Sequence, residues 1–147
     1  MQLIRKIWSF GSTPEEMVDL WKTFCRSVLE QTCVVWDSGL TNQNIEDLER
    51  TQKMFVKLIM EENYQNYTSS LKFLNLETLE TRRKKLSVKF AKTSISDGHF
   101  ADLFQKRTKT HKMETRNIDK YKVFHANTGH YKNSPILTMQ RMLNEPQ

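Results

Sequence analysis

The residues best suited to chemistry in this chain are cations interleaved with aromatic rings. Arg82, Arg83, Lys84 and Lys85 stand in an unbroken run, and a second series follows in Lys106, Arg107, Lys109, Lys112, Arg116, Lys120 and Lys122. Tyr121, Phe124 and Tyr131 lie within or just beyond the second series. Lysine and arginine neutralise phosphates and release their counterions, and aromatic faces stack on bases, so this pattern is that of a nucleic-acid surface. A solvated helix face followed by a solvated tail accounts for the same charges equally well.

Other chemistries find less to work with. Metal-dependent phosphoryl transfer needs carboxylates that converge on divalent ions, and the carboxylates here are scattered. Glu15 and Glu16 suit the positive end of a helix, Glu46 and Asp47 a first helical turn, and Glu61 and Glu62 an exposed surface. His99, His111, His125 and His130 have none of the spacings of zinc sites. The glycines are single, so there is neither a phosphate-cradling loop nor a nucleophile elbow. The expectation is no catalytic residue, no metal, no cofactor and no small-molecule substrate.

At 147 residues the chain can bury one core, and 37% hydrophobic with 27% charged residues is a globular composition. No apolar run reaches the roughly 20 residues of a membrane span, and the start MQLIRKIWSF does not read as a secretory leader. These features predict an intracellular protein, in cytoplasm or nucleus, with no membrane partner. Cys25 and Cys33 are expected to be buried thiols. The net charge of +6 is uneven: through Gln105 there are 14 basic and 14 acidic residues, whereas Lys106 to Gln147 holds 9 and 3. A neutral body and a basic tail follow, divided as 1–105 and 106–147.

The elements that must carry these residues read as helices. Thr13, Pro14 and Glu16 spell a capping box with proline at the first helical position. Met17, Leu20, Trp21, Phe24, Cys25, Val28 and Leu29 then recur every three or four residues, predicting one helix to about Trp36, closed by Asp37, Ser38 and a left-handed Gly39. Thr41 or Asn42 starts a second helix, carrying Ile45, Leu48, Phe55, Val56 and Ile59, antiparallel to the first. Trp21, Phe24 and Phe55 are expected in the core, with Trp36 as a wedge where the hairpin closes. A polar loop near Asn63 to Ser70 leads through Leu71 and Leu74 to a third long helix. Its stripe is Leu76, Leu79, Leu86, Phe90 and Ile95, and it breaks near Asp97 and Gly98. The tail is expected to be weakly ordered, with a short amphipathic piece after Pro135.

Three segments, TFCRSVLEQTCVVWDSGLT, DLERTQKMFVKLI and YQNYTSSLKFLNLETLETRRKKLSVKFAK, resemble in order and spacing the region that follows the palm in reverse transcriptases of non-LTR (LINE-type, jockey-like) retrotransposons. The matching residues include Arg26, Ser27, Leu29, Glu30, Trp36, Leu48, Glu49, Arg50, Gln52, Leu76, Leu79, Arg82, Arg83 and Leu86. The resemblance implies an all-α, thumb-like bundle that grips a primer–template duplex, with fingers, palm and metal-binding aspartates upstream. The expected function is that of a non-catalytic fragment of an RNA-directed DNA polymerase that binds RNA or DNA duplex or hybrid weakly and without sequence preference, through the two basic series. A palm-containing polymerase chain is a further expected partner. The competing reading is a helical scaffold or protein-interaction remnant without nucleic-acid activity.

Overall fold

A computed structural model of the chain describes residues 2–98, 100–107 and 120–145. The fold is all-α: among the described residues there is no strand, and an isolated antiparallel bridge joins Lys106 to Tyr121. The chain forms two compact units, Met1–Thr32 with Leu40–Arg83, and Cys33–Gly39 with Lys84–Gln147. This differs from the expected division after Gln105.

In the first unit, helix α1 covers Gln2–Ser9 and α2 covers Pro14–Leu20. Both halves of the expected capping box form: Thr13 Oγ1 accepts from the Glu16 amide, and Glu16 Oε2 accepts from the Thr13 amide. One wide π turn, Trp21–Cys25, then links α2 to α3, Arg26–Glu30, and in it the Arg26 amide reaches back five residues to the Trp21 carbonyl. A π turn inserts one residue into the helical register. Beyond it each side chain takes roughly the angular place of its predecessor in an uninterrupted helix. Cys25 and Leu29 thus remain beside the core, whereas Phe24 and Val28 swing outward and are 67% and 69% exposed. The expected burial of Phe24 is therefore wrong, and the inserted residue is the reason.

The helix also ends before Trp36. Thr32 has φ +51, a left-handed conformation unusual for a β-branched residue, and it separates α3 from the short α4, Cys33–Trp36. The left-handed stop expected at Gly39 is thus found at Thr32, and Asp37–Gly39 instead forms a 3₁₀ turn. Trp36 is half-buried and belongs to the second unit, so it is not the wedge of a hairpin within the first.

Helix α5, Asn42–Met60, starts at Thr41, whose Oγ1 accepts from the Asn44 amide. Its Phe55 stacks on Trp21 with ring centroids 4.4 Å apart, and both rings are fully buried. Ile4, Met17, Val18, Val56, Ile59, Leu71, Leu74 and Leu76 complete this core. Helix α6, Tyr67–Phe73, is capped by Asn66 Oδ1 on the Ser69 amide. It closes in a Schellman motif, with Asn75 at φ +50, Leu76 N–H donating to the Leu71 carbonyl and Asn75 N–H to that of Lys72.

Polar side chains of α5 set the start of α7, Leu79–Asp97. Glu49 accepts from the Tyr67 hydroxyl with one oxygen and from the Leu79 amide with the other, at 3.1 Å. Gln52, fully buried, donates to the Tyr67 hydroxyl and to the Glu77 carbonyl. Along α7 the buried positions are Leu79, Arg83, Ser87, Ala91 and Ser94. Of the expected stripe, Leu79 is buried, Leu86 and Ile95 are half-buried and Phe90 is exposed, while Leu76 is buried ahead of the helix; small and polar residues, with Arg83, supply the rest of the buried face. The helix ends at Gly98, φ +77, as its sequence predicts.

In the second unit Ala91, Phe104 and Met139 form a small core with Val34, Ile95, Leu103, Tyr121 and Leu143 around it. Helix α8 covers Gly129–Lys132, and α9, Pro135–Asn144, is the short amphipathic piece expected after Pro135. Helix α9 packs on Cys33–Gly39 and buries Leu137, Met139 and Gln140.

Trp21→Ala should lower stability by about 3–5 kcal/mol, the cost of truncating a large core aromatic, whereas Phe24→Ala should stay within about 0.5 kcal/mol of the parent. Equal shifts of the two denaturation midpoints would reject the π-turn register. A second test concerns Tyr67, whose pKa is raised by burial first and then by its hydrogen bond to, and the charge of, Glu49. The folded chain retains a phenolic proton that the unfolded chain loses near pH 10, about the ordinary tyrosine value. This contribution to stability is whole below that pH and is lost as pH rises through the folded-state value. Tyr67→Phe should accordingly flatten the fall of the urea midpoint above about pH 10, and an unchanged alkaline profile would exclude Tyr67 as its source.

Candidate nucleic-acid interface

The run of four cations near the start of α7 divides by direction. Arg82 Nε donates to Glu30 Oε1 at 2.5 Å, and Arg26 Nε lies 3.8 Å from the same oxygen. Desolvation, then the charge of Arg82, push the Arg26 guanidinium below its ordinary pKa, with Glu30 and Glu77 opposing. Both arginines remain cations, so Glu30 is the anion that lets them lie close together. Arg83 is 1% exposed and has almost no surface to offer a phosphate. Only Lys84 and Lys85 of the run are exposed. The sequence-based assignment of Arg83 as a phosphate contact therefore fails on burial, and that of Arg82 competes with its ion pair.

The second basic series is better placed. Around the Lys106–Tyr121 bridge the Arg107 amide donates to the Lys120 carbonyl and the Lys122 amide to the Gln105 carbonyl. Side chains alternate along paired extended segments. Arg107, Lys120 and Lys122 consequently share one side with Gln105, and all are exposed. Tyr121, on the other side, packs against the core of the second unit and is no free stacking platform. Lys122 Nζ lies 5.8 Å from the centre of the half-buried Phe124 ring, and Tyr131 is exposed on α8. Lys106 is exposed as well. Lys109, Lys112 and Arg116 lie outside the described residues.

Two amides of α9, unremarked in the sequence, hold this basic segment. Asn144 grips the backbone of Tyr121 from both sides, its Oδ1 accepting from the amide at 2.8 Å and its Nδ2 donating to the carbonyl at 3.0 Å. Gln140, fully buried, donates to the Leu103 carbonyl and accepts from the Phe124 amide. On an amphipathic helix such residues read as solvent-facing, so periodicity alone could not have found them.

Charge follows the two units. The first holds 10 basic and 11 acidic residues, the second 13 and 6, so the second alone accounts for the positive excess. Among the described residues no group of three or more His, Cys, Asp or Glu is arranged to hold a metal ion, and no helix is long and apolar enough to cross a membrane. Cys25 and Cys33 are not joined in a disulfide; Cys33 is buried and Cys25 half-buried. No protein-family model matches the chain, and neither does any curated protein or solved structure.

If Asn144 holds the basic segment in register, Asn144→Leu should speed amide exchange at Tyr121 by roughly tenfold, about the net worth of one hydrogen bond. Exchange at Tyr121 unchanged from the parent would show that the bridge is held by other contacts.

Proposed function

We propose that this chain is a non-catalytic, reverse-transcriptase-derived helical fragment that binds duplex or hybrid nucleic acid through the cationic second unit. The observation that carries the reading is the gathering of Arg107, Lys120 and Lys122 on one exposed side of the Lys106–Tyr121 bridge, beside the Phe124 ring. Converging cations raise the local potential and attract a polyanion whose phosphates are closely spaced. The resemblance to the post-palm region of non-LTR retrotransposon reverse transcriptases supplies the polymerase lineage and the expectation of a palm-bearing partner chain. In that lineage the catalytic aspartates belong to the palm, so this chain binds substrate without extending it.

A second reading, the helical scaffold, draws on Arg82 and Arg83. Arg82 is engaged within the fold by the Glu30 ion pair and Arg83 by burial. A helical module that binds no nucleic acid would carry these two residues for the same structural purpose.

Titration of labelled DNA duplex, RNA·DNA hybrid and single strand separates the two. Replacing Arg107, Lys120 and Lys122 together with glutamine should flatten the dependence of log affinity on log salt by about 0.7 to 0.9 for each phosphate no longer neutralised. The parent, given primer–template, magnesium and nucleotides, should extend no primer. Absence of binding at low salt would leave the scaffold reading, and extension that persists through successive purification steps would reject the non-catalytic assignment.

A further inference from the structure

Helix α7 exposes Thr81, Lys85, Lys89, Lys92 and Ser96, at successive steps of four, four, three and four residues. At 3.6 residues per turn these five positions fall within an arc of roughly 80°, forming one straight edge along the helix. Arg83, Ser87, Ala91 and Ser94, on the opposite face, are buried, so the helix presents this edge outward. Lys89 and Lys92 stand singly in the sequence, and only the helical period joins them to Lys85.

The edge has the dimensions of a phosphate backbone. Lys85 and Lys92 are separated by about 10 Å along the axis at 1.5 Å per residue. One strand of a duplex advances roughly 3.4 Å along the duplex axis for each phosphate while winding around it, so the reach of the three lysines covers a few successive phosphates. The neighbours on the edge are hydroxyl-bearing Thr81 and Ser96, groups that hydrogen-bond phosphate oxygens readily. No aromatic, amide or arginine side chain shares the edge to stack on a base or read its groove face. An anionic membrane is a poorer fit, because helices that lie on bilayers insert an apolar face beside their cations, and here the face opposite the lysines is buried.

We infer that Lys85, Lys89 and Lys92 form a phosphate-tracking edge that engages one strand of a nucleic-acid duplex by its backbone alone. This deepens the proposed nucleic-acid function and rests on it. The edge supplies affinity without sequence preference, and it is separate in the chain from the side formed by Arg107, Lys120 and Lys122.

The test uses the full chain with two DNA duplexes of unrelated sequence, over a range of salt. Changing all three lysines to glutamine should flatten the log–log salt dependence by about 0.9 per lysine, equally for both duplexes, with the helical circular dichroism retained. Changing all three to arginine should preserve the slope. Parent-like slope in the glutamine variant, a flattened slope in the arginine variant, or a change confined to one duplex would each overturn the edge while leaving duplex binding by the parent intact. No duplex binding by the parent at low salt overturns the edge together with the proposed function. Binding to phosphatidylserine vesicles in place of duplex does the same, and assigns the lysines to a membrane surface.

Discussion

The carboxylate of Glu49 is the point on which the first unit turns. One of its oxygens takes the Tyr67 hydroxyl of α6 and the other the Leu79 amide at the start of α7, so a single side chain on α5 relates three helices. A carboxylate at a helix N-terminus also meets unsatisfied amides and the positive end of the helix dipole. Gln52, on the next turn of α5, holds the same tyrosine and the carbonyl of Glu77. Burial strengthens these bonds and makes their loss costly, since a buried polar group left unmatched keeps its full desolvation penalty. Apolar packing of Trp21 on Phe55 drives the helices together, while this network decides where α7 begins.

That division of labour explains how much of the fold could be read from sequence. Helix starts were legible because they are local: Thr13 with Pro14 and Glu16, Thr41, and the break at Gly98 each act through neighbours in the chain. The fully buried pair Trp21 and Phe55 was legible from helical spacing. Phe24 was not, because a spacing argument assumes an uninterrupted register and the π turn adds a residue to it. The stop at Thr32 was not, because nothing in a threonine marks it for a left-handed conformation. Beyond Leu79, the buried face of α7 was hidden for another reason. Small and polar residues such as Ser87, Ala91 and Ser94 carry no hydrophobic signal, and their burial depends on what the fold brings against them.

The candidate interface was legible as composition and illegible as geometry. Lys106, Arg107, Lys120 and Lys122 could be named from charge, but their arrangement depends on the Lys106–Tyr121 bridge and on Asn144 and Gln140 of α9, far along the chain. Several residues that carry the resemblance, Glu30, Glu49, Gln52 and Arg82, have internal partners in the fold. Their spacing is accounted for by packing and hydrogen bonding without reference to a ligand. A resemblance built on such residues speaks first to the shared fold, and the case for a polyanionic partner rests on other positions.

Those other positions follow from the geometry of a helix. Four consecutive residues occupy slightly more than a full turn, so a contiguous cationic run must point in every direction and cannot form one surface. In α7 the consequence is visible: Arg83 is buried, Arg82 is joined to Glu30, and only Lys84 and Lys85 are exposed. Cations spaced by three and four residues, as at Lys85, Lys89 and Lys92, do share a surface. Cations on paired extended segments, as at Arg107, Lys120 and Lys122, share one through alternation. In both cases the period of the charge, matched to the backbone that carries it, determines whether a sum of positive residues becomes a face that a polyanion can meet.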